Sequence, residues 1–151
     1  MRRVWWKIVT LFQYVLCWFI GPMNRVWNNK VDLKRGTLVM LDFGEDKNKV
    51  YASPTDPTNL RDFCPVGVVR WGGPGGIGTS VVCQFGECHG VKMPDSASVG
   101  GRLFAGEGGG IISVEELGER AAKGYTGWVT EVGIKTGKRS MYVKIESGML
   151  M

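Results

Sequence analysis

The sequence predicts a mainly β fold: a small antiparallel β-barrel or sandwich with an N-terminal hydrophobic, basic arm or helix. Three observations carry that expectation. Short β-branched or aromatic runs recur through the chain, each closed by glycine or proline after four to eight residues. The 23 glycines among 151 residues favour turns over helices. Between residues 65 and 110 no run is long enough, or periodic enough at 3.6 residues, to predict a helix. A hydrophobic fraction of 44% suffices for one domain with a modest core, so the chain divides into an arm, residues 1–30, and a β body, residues 31–151.

Residues 4–20 are the most apolar stretch. As a helix these 17 residues would span about 26 Å, a little short of a bilayer core. Lys7, Thr10 and Gln13 recur every three residues, which gives a helical version one narrow polar stripe and a broad apolar face. Such an element lies on a membrane or buries its wide face in a groove on another protein. Its β-branched and aromatic content equally suits an extended arm, and the sequence leaves both conformations open. Arg2 and Arg3 precede it as in a signal anchor, but no small-residue cleavage site follows before Gly21-Pro22.

Gly21-Pro22 ends the apolar segment, and residues 24–30 read as a polar linker with Trp27 its one large anchor. Residues 33–43 form a glycine-started strand, residues 44–48 a charged turn, and Val50-Tyr51-Ala52 the next strand. Pro54 and Pro57 make residues 53–62 an irregular surface loop. Strands follow at 65–71, 79–86, 91–93 and 99–105, and Ile111-Ile112-Ser113-Val114 pairs back across the glycine turn 106–110. Residues 115–123 are one helical turn or a polar loop, with Gly118 weakening the helix. The last hairpin has strands at 125–132 and 138–146 around 133–137, and Met141, Val143 and Ile145 alternate with Tyr142, Lys144 and Glu146.

Charge separates the two parts. Residues 1–30 hold five basic groups, Arg2, Arg3, Lys7, Arg25 and Lys30, and no acid, while the remaining 14 basic and 14 acidic residues balance. The arm is therefore the expected contact for an acidic partner, and the neutral sum argues against a nucleic-acid face on the folded body. Arg2, Arg3, Trp5, Trp6, Lys7, Phe12, Trp18, Phe19, Arg25 and Trp27 are the candidate partner-binding residues: tryptophan and phenylalanine supply anchoring area, arginine and lysine steer.

No residue set calls for catalysis, a cofactor or a metal. His89 is the single histidine and has no serine or cysteine motif beside it. Cys83, Cys88 and His89 with Cys64 depart from zinc-knuckle spacing and read as free thiols. Glu115, Glu116 and Glu119 form a solvated acidic run, and Asp42, Glu45 and Asp46 lack calcium-loop order. The glycines around Pro74 are followed by Thr79-Ser80-Val81-Val82, a strand, where a phosphate cradle needs a helix, so residues 72–78 read as a hairpin connection.

The order Gly36-Thr37-Leu38-Val39, Val50-Tyr51-Ala52, Pro65-Val66-Gly67-Val68-Val69, residues 81–86, residues 91–94, Val99-Gly100-Gly101-Arg102-Leu103-Phe104, Gly127-Trp128-Val129 and Met141-Tyr142-Val143-Lys144-Ile145 resembles the capsid cement, or decoration, proteins of tailed bacteriophages. The resemblance covers residues 33–146 and is one of strands and glycines, without a catalytic signature. It implies a structural virion protein, not an enzyme, on the capsid exterior of a particle assembled in the host cytoplasm. There it would bridge major capsid protein subunits as a homotrimer and stabilise the expanded head. The hydrophobic arm is unlike the compact members, and the competing expectation is a membrane-anchored β-barrel binding module with residues 4–20 in the bilayer.

Overall fold

The computed structural model describes residues 2–21, 23–42, 51–54, 65–124 and 127–150. The arm is a helix, α1 (Arg2–Ile20). Sheet 1 then comprises β1 (Asn24–Asn29), β2 (Leu38–Asp42), β3 (Tyr51–Pro54), β4 (Pro65–Trp71) and β5 (Thr79–Cys83). Sheet 2 comprises β6 (Gly86–His89), β7 (Arg102–Ala105), β8 (Ile111–Ser113), β9 (Gly127–Gly137) and β10 (Ser140–Leu150), with helix α2 (Val114–Ala122) between β8 and β9.

Sheet 1 runs β3-β2-β4-β5-β1 with antiparallel neighbours, and Asn28 and Asn29 lie parallel to Tyr51 and Ala52, so its two ends touch. Sheet 2 runs β6-β10-β9-β7-β8, antiparallel throughout. The body is thus mainly β, as expected, but it divides into two sheets, with sheet 1 curling until its ends meet at a two-residue seam.

Neighbouring residues of a strand point to opposite faces. Leu38 and Val39, Val68 and Val69, and Val82 and Cys83 are all fully buried, so sheet 1 is covered on both sides. Leu38, Val68 and Cys83 pack with Leu103, Val132, Met141 and Val143 of sheet 2, while Val39, Val69 and Val82 join Leu33 and the half-buried Trp27 inside the curl of sheet 1. Two-sided burial is why these strands read as continuous apolar runs. In β10 one side only is covered: Met141 and Val143 are buried and Tyr142 and Lys144 exposed, the alternation the sequence shows.

Several elements differ from expectation. Residues 24–29 are not a linker but β1, paired with β5 from Asn24 opposite Cys83 to Asn28 opposite Thr79, so the body's sheets begin seven residues before Val31. The signal was hidden because only Trp27 of its alternate residues is a large apolar side chain. Residues 91–93 form no strand; the pairing in that region belongs to β6. The final hairpin turns at Lys138-Arg139, and β9 continues through Gly133. Gly133 has φ +154°, and a Cβ there would strike the Tyr142 carbonyl, so this glycine serves a close strand approach at a bulge and not a turn.

Residues 115–123 also form a full helix. The Ser113 hydroxyl accepts a hydrogen bond from the Glu116 N–H at 3.3 Å, Glu115 and Glu116 occupy the first turn, and Arg120 the last. Gly124, at φ +85°, follows the helix and donates its N–H to the Ala121 carbonyl. These end effects outweigh Gly118. The expected charged turn 44–48, the side chains of Asp42, Glu45 and Asp46, Cys64 and most of the 53–62 loop lie outside the described residues.

Candidate functional site

A surface helix normally turns its apolar stripe to the core. α1 divides its apolar residues: Val9 and the half-buried Trp6, Leu16 and Cys17 lie with Thr10 and Gln13 on the side toward the body, and a second apolar face points outward. Its buried side chains are Val9 and Gln13, and Gln13 is completely buried. The Gln13 amide N–H donates to the Thr79 carbonyl at 2.9 Å, and the Thr79 hydroxyl donates to the Gln13 Oε1. The Thr10 hydroxyl lies 2.7 Å from both the Thr79 hydroxyl and the Trp6 carbonyl and, with one proton, donates to one of them. One glutamine thus satisfies both polar atoms that Thr79 presents at the start of β5, which makes a buried amide favourable where an unpaired one would cost about 1–3 kcal/mol.

Trp6 packs inward as well. A Cβ at residue 73 would lie 2.8 Å from its ring, so Gly73 leaves the space that the indole fills. That glycine loop is held by the body's own acceptors: Gly75 N–H donates to Asp32 and Gly76 N–H to the Asn29 carbonyl. Gly78 N–H donates to the Pro74 carbonyl, so these three amides are occupied, and the loop connects β4 to the antiparallel β5 as the expected hairpin.

The rest of α1 faces outward. Trp18 is 83% exposed, Phe19 76%, and Leu11, Phe12, Val4 and Trp5 each 60% or more. Val4, Ile8, Leu11, Val15 and Trp18 are spaced alternately by four and three residues, so they form one exposed seam along about 21 Å of helix. Such a seam fits another helix or an apolar groove. Trp18 and Phe19 sit ring against ring, 5.6 Å between centroids, at its C-terminal end. Exposed Arg2, Arg3 and Lys7 lie at its N-terminal end, where an apolar hollow of about 550 Å³ lies along Arg2, Val4, Trp5 and Ile8.

Of the sequence candidates, Arg2, Arg3, Trp5, Lys7, Phe12, Trp18 and Phe19 share this one exposed helix. Arg25 is exposed on β1. Trp6 and Trp27 are half-buried and belong to the body: Trp27 packs with Leu33, Val39, Val69 and Val82. Sequence reasoning missed Val4, Ile8, Leu11 and Val15, although their spacing was readable; the tryptophans drew the attention.

The buried thiols of Cys83 and Cys88 lie where the two sheets pack together. Arg70 of β4 donates to the Asn24 side chain of β1 at 2.7 Å, to the Cys83 sulfur of β5 at 3.2 Å and to the Glu87 carbonyl of β6, clasping the two sheets. The Cys88 thiol hydrogen-bonds to Cys83, which lowers the Cys83 pKa and raises that of Cys88; burial opposes the first and adds to the second, and Arg70 helps hold Cys83 down. Both sulfurs are buried while His89 is exposed, and no group of ligating side chains among the described residues could hold a metal ion. Among the described residues no helix is long and apolar enough to cross a membrane.

No known protein family, characterised protein or solved structure gives a match to this chain. The likeness to cement proteins therefore rests on the order of strands and glycines.

Proposed function

We propose that this chain is a structural binding protein that docks through the outward face of α1, and that its partner is the shell of a tailed-phage head, built of the major capsid protein. The observation that carries the reading is the second apolar face of α1: one side of the helix is fastened to β5 through Gln13, and the seam on the other side is left outward. A soluble monomer rarely exposes so continuous an apolar surface without a partner to cover it. The resemblance in strand order supplies the partner, and the acid-free cationic segment supplies the steering toward an acidic shell.

The mechanism needs no chemistry. A protein that binds the expanded lattice and not its dispersed subunits stabilises that lattice by mass action. Aromatic anchors contribute most of the contact energy, and repetition around a symmetry axis, as in a homotrimer, multiplies a modest single contact. A bilayer span for residues 4–20 fits less well, because α1 is fastened along one side to the body by Gln13 and Thr10.

The test is co-sedimentation of the full chain with empty expanded heads, with anionic lipid vesicles as the parallel arm. Saturable binding to heads at a fixed ratio to shell subunits, with none to vesicles, supports the reading. Flotation with vesicles and no binding to heads would overturn it in favour of a lipid-lying helix.

A further inference from the structure

The equal number of acids and bases in residues 31–151 conceals an uneven distribution. A cleft of about 470 Å³ opens between the segment following β6 and the β9–β10 hairpin, and Lys92, Lys135, Lys138 and Arg139 line it against one acid, Asp95. Arg35 lies at its edge: its guanidinium covers Gly90, where a Cβ would meet the Arg35 Nε at 2.6 Å. Three of the lining cations, Lys92, Lys138 and Arg139, are exposed and make no ion pair among the described residues. The acidic residues Glu107, Glu115, Glu116 and Glu119 are placed elsewhere, on and before α2.

The walls are fixed before any ligand arrives. Val91 N–H donates to the Arg139 carbonyl at 3.0 Å, tying one wall to the other, and Val91 itself is fully buried. Lys135 is held at both ends: its backbone pairs with Gly100 and Gly101, and its Nζ donates to the Ala97 carbonyl at 2.8 Å, leaving two further N–H groups. Four cations gathered on rigid walls against the single carboxylate of Asp95 repel one another, and a bound anion would relieve that repulsion.

We infer that this cleft binds a small anion carrying two or more phosphate groups. The cations come from both walls, so a singly charged carboxylate could satisfy only some of them, whereas linked phosphates reach several at once. Lysine offers point-charge donors and Arg139 a planar fork suited to an oxyanion. The volume suits a small ligand. No aromatic side chain lines the cleft, so an unpaired base would find no stacking surface, and Asp95 repels a continuous run of phosphates such as a duplex backbone. This site is separate from α1 and independent of the docking proposal.

The experiment is calorimetric titration of the full chain with tripolyphosphate at low salt, repeated with ATP and with a short duplex DNA. One-to-one saturable binding of tripolyphosphate is expected, weakened about tenfold or more by Lys138→Glu with Arg139→Glu and by Lys92→Glu on the opposite wall. Lys123→Glu, at the end of α2, should leave it unchanged. Thermal melting of each variant identifies any that fails to fold, and the two walls provide independent variants. Absence of saturable binding, or binding that both cleft variants retain, would overturn the inference. So would duplex DNA binding that tripolyphosphate cannot displace, since the ligand would then be a polymer.

Discussion

The two α-helices among the described residues are both poorly buried, and they spend their exposure in opposite ways. α2 has no buried residue; its first turn carries Glu115 and Glu116 and its last turn Arg120, and a serine caps it. α1 has no acid in its first turn and no base in its last, and beyond Lys7 its exposed residues are valine, isoleucine, leucine, phenylalanine, tyrosine and tryptophan. α2 is stable against water through its ends and its charges. α1 instead keeps its place by Val9, the half-buried Trp6, Leu16 and Cys17 and the polar contacts to Thr79, and leaves a second apolar face outward. The difference teaches that exposure alone does not mark a binding element; the chemistry of what is exposed does.

The strongest way to break this contrast is to make α1 resemble α2. Replacing Phe12, Trp18 and Phe19 with serine should reduce head binding by about a hundredfold or more, since buried aromatic anchors are worth about 2 kcal/mol or more each. Stability should change by about 0.5 kcal/mol or less, because these side chains are already in water. Retained binding, read by sedimentation, would remove α1 from the interface. Arg2→Ala with Arg3→Ala should have a smaller effect, seen chiefly in the association rate and its salt dependence.

A second variant tests how α1 is attached. Gln13→Ala removes both contacts to Thr79 and leaves its carbonyl buried without that donor, at a cost of about 1–3 kcal/mol in urea unfolding. Gln13→Leu should do no better, although it adds apolar volume. If leucine stabilises the protein, the polar stripe is not what fastens the helix.

On α2 the sensitive position is the cap. Ser113→Ala should cost about 0.5–2 kcal/mol, since its hydroxyl serves the Glu116 N–H and lies 2.7 Å from the Ser96 hydroxyl. Head binding should be untouched. A loss of binding with stability intact would place α2 in the interface too.

The smallest effect is expected from a surface ion pair on sheet 2. Arg102 meets Glu131 through two hydrogen bonds, 3.0 and 2.8 Å, and they hold the Glu131 carboxyl below its ordinary range. A carboxyl lowered in the folded state contributes stability above its unfolded value, and that contribution disappears as pH falls through the folded value. Because Arg102 is 62% exposed, the contribution is about 0.2–1 kcal/mol. Glu131→Gln should therefore lower stability by that amount at neutral pH and by nothing in strong acid, measured by urea unfolding at both.

The sequence by itself determined the local structure wherever periodicity and punctuation agree. Pro65 to Trp71 begins and ends as the residues predict, the alternation in β10 matches its one-sided burial, and the apolar arm between Arg2 and Gly21 holds the candidate docking residues. Tertiary structure alone decided which way each surface faces. β1 is a strand because β5 offers it a hydrogen-bonding edge, a fact not encoded in Asn24 to Asn29 themselves. α1 turns Gln13 and Thr10 inward, and leaves Lys7 of the same stripe exposed, because Thr79, 66 residues beyond Gln13, presents two polar atoms that require partners. The cationic cleft escaped a count of charges because a sum has no positions, and only folding brings Lys92 beside Arg139. Propensity acts between near neighbours along the chain, whereas burial and electrostatics act through space.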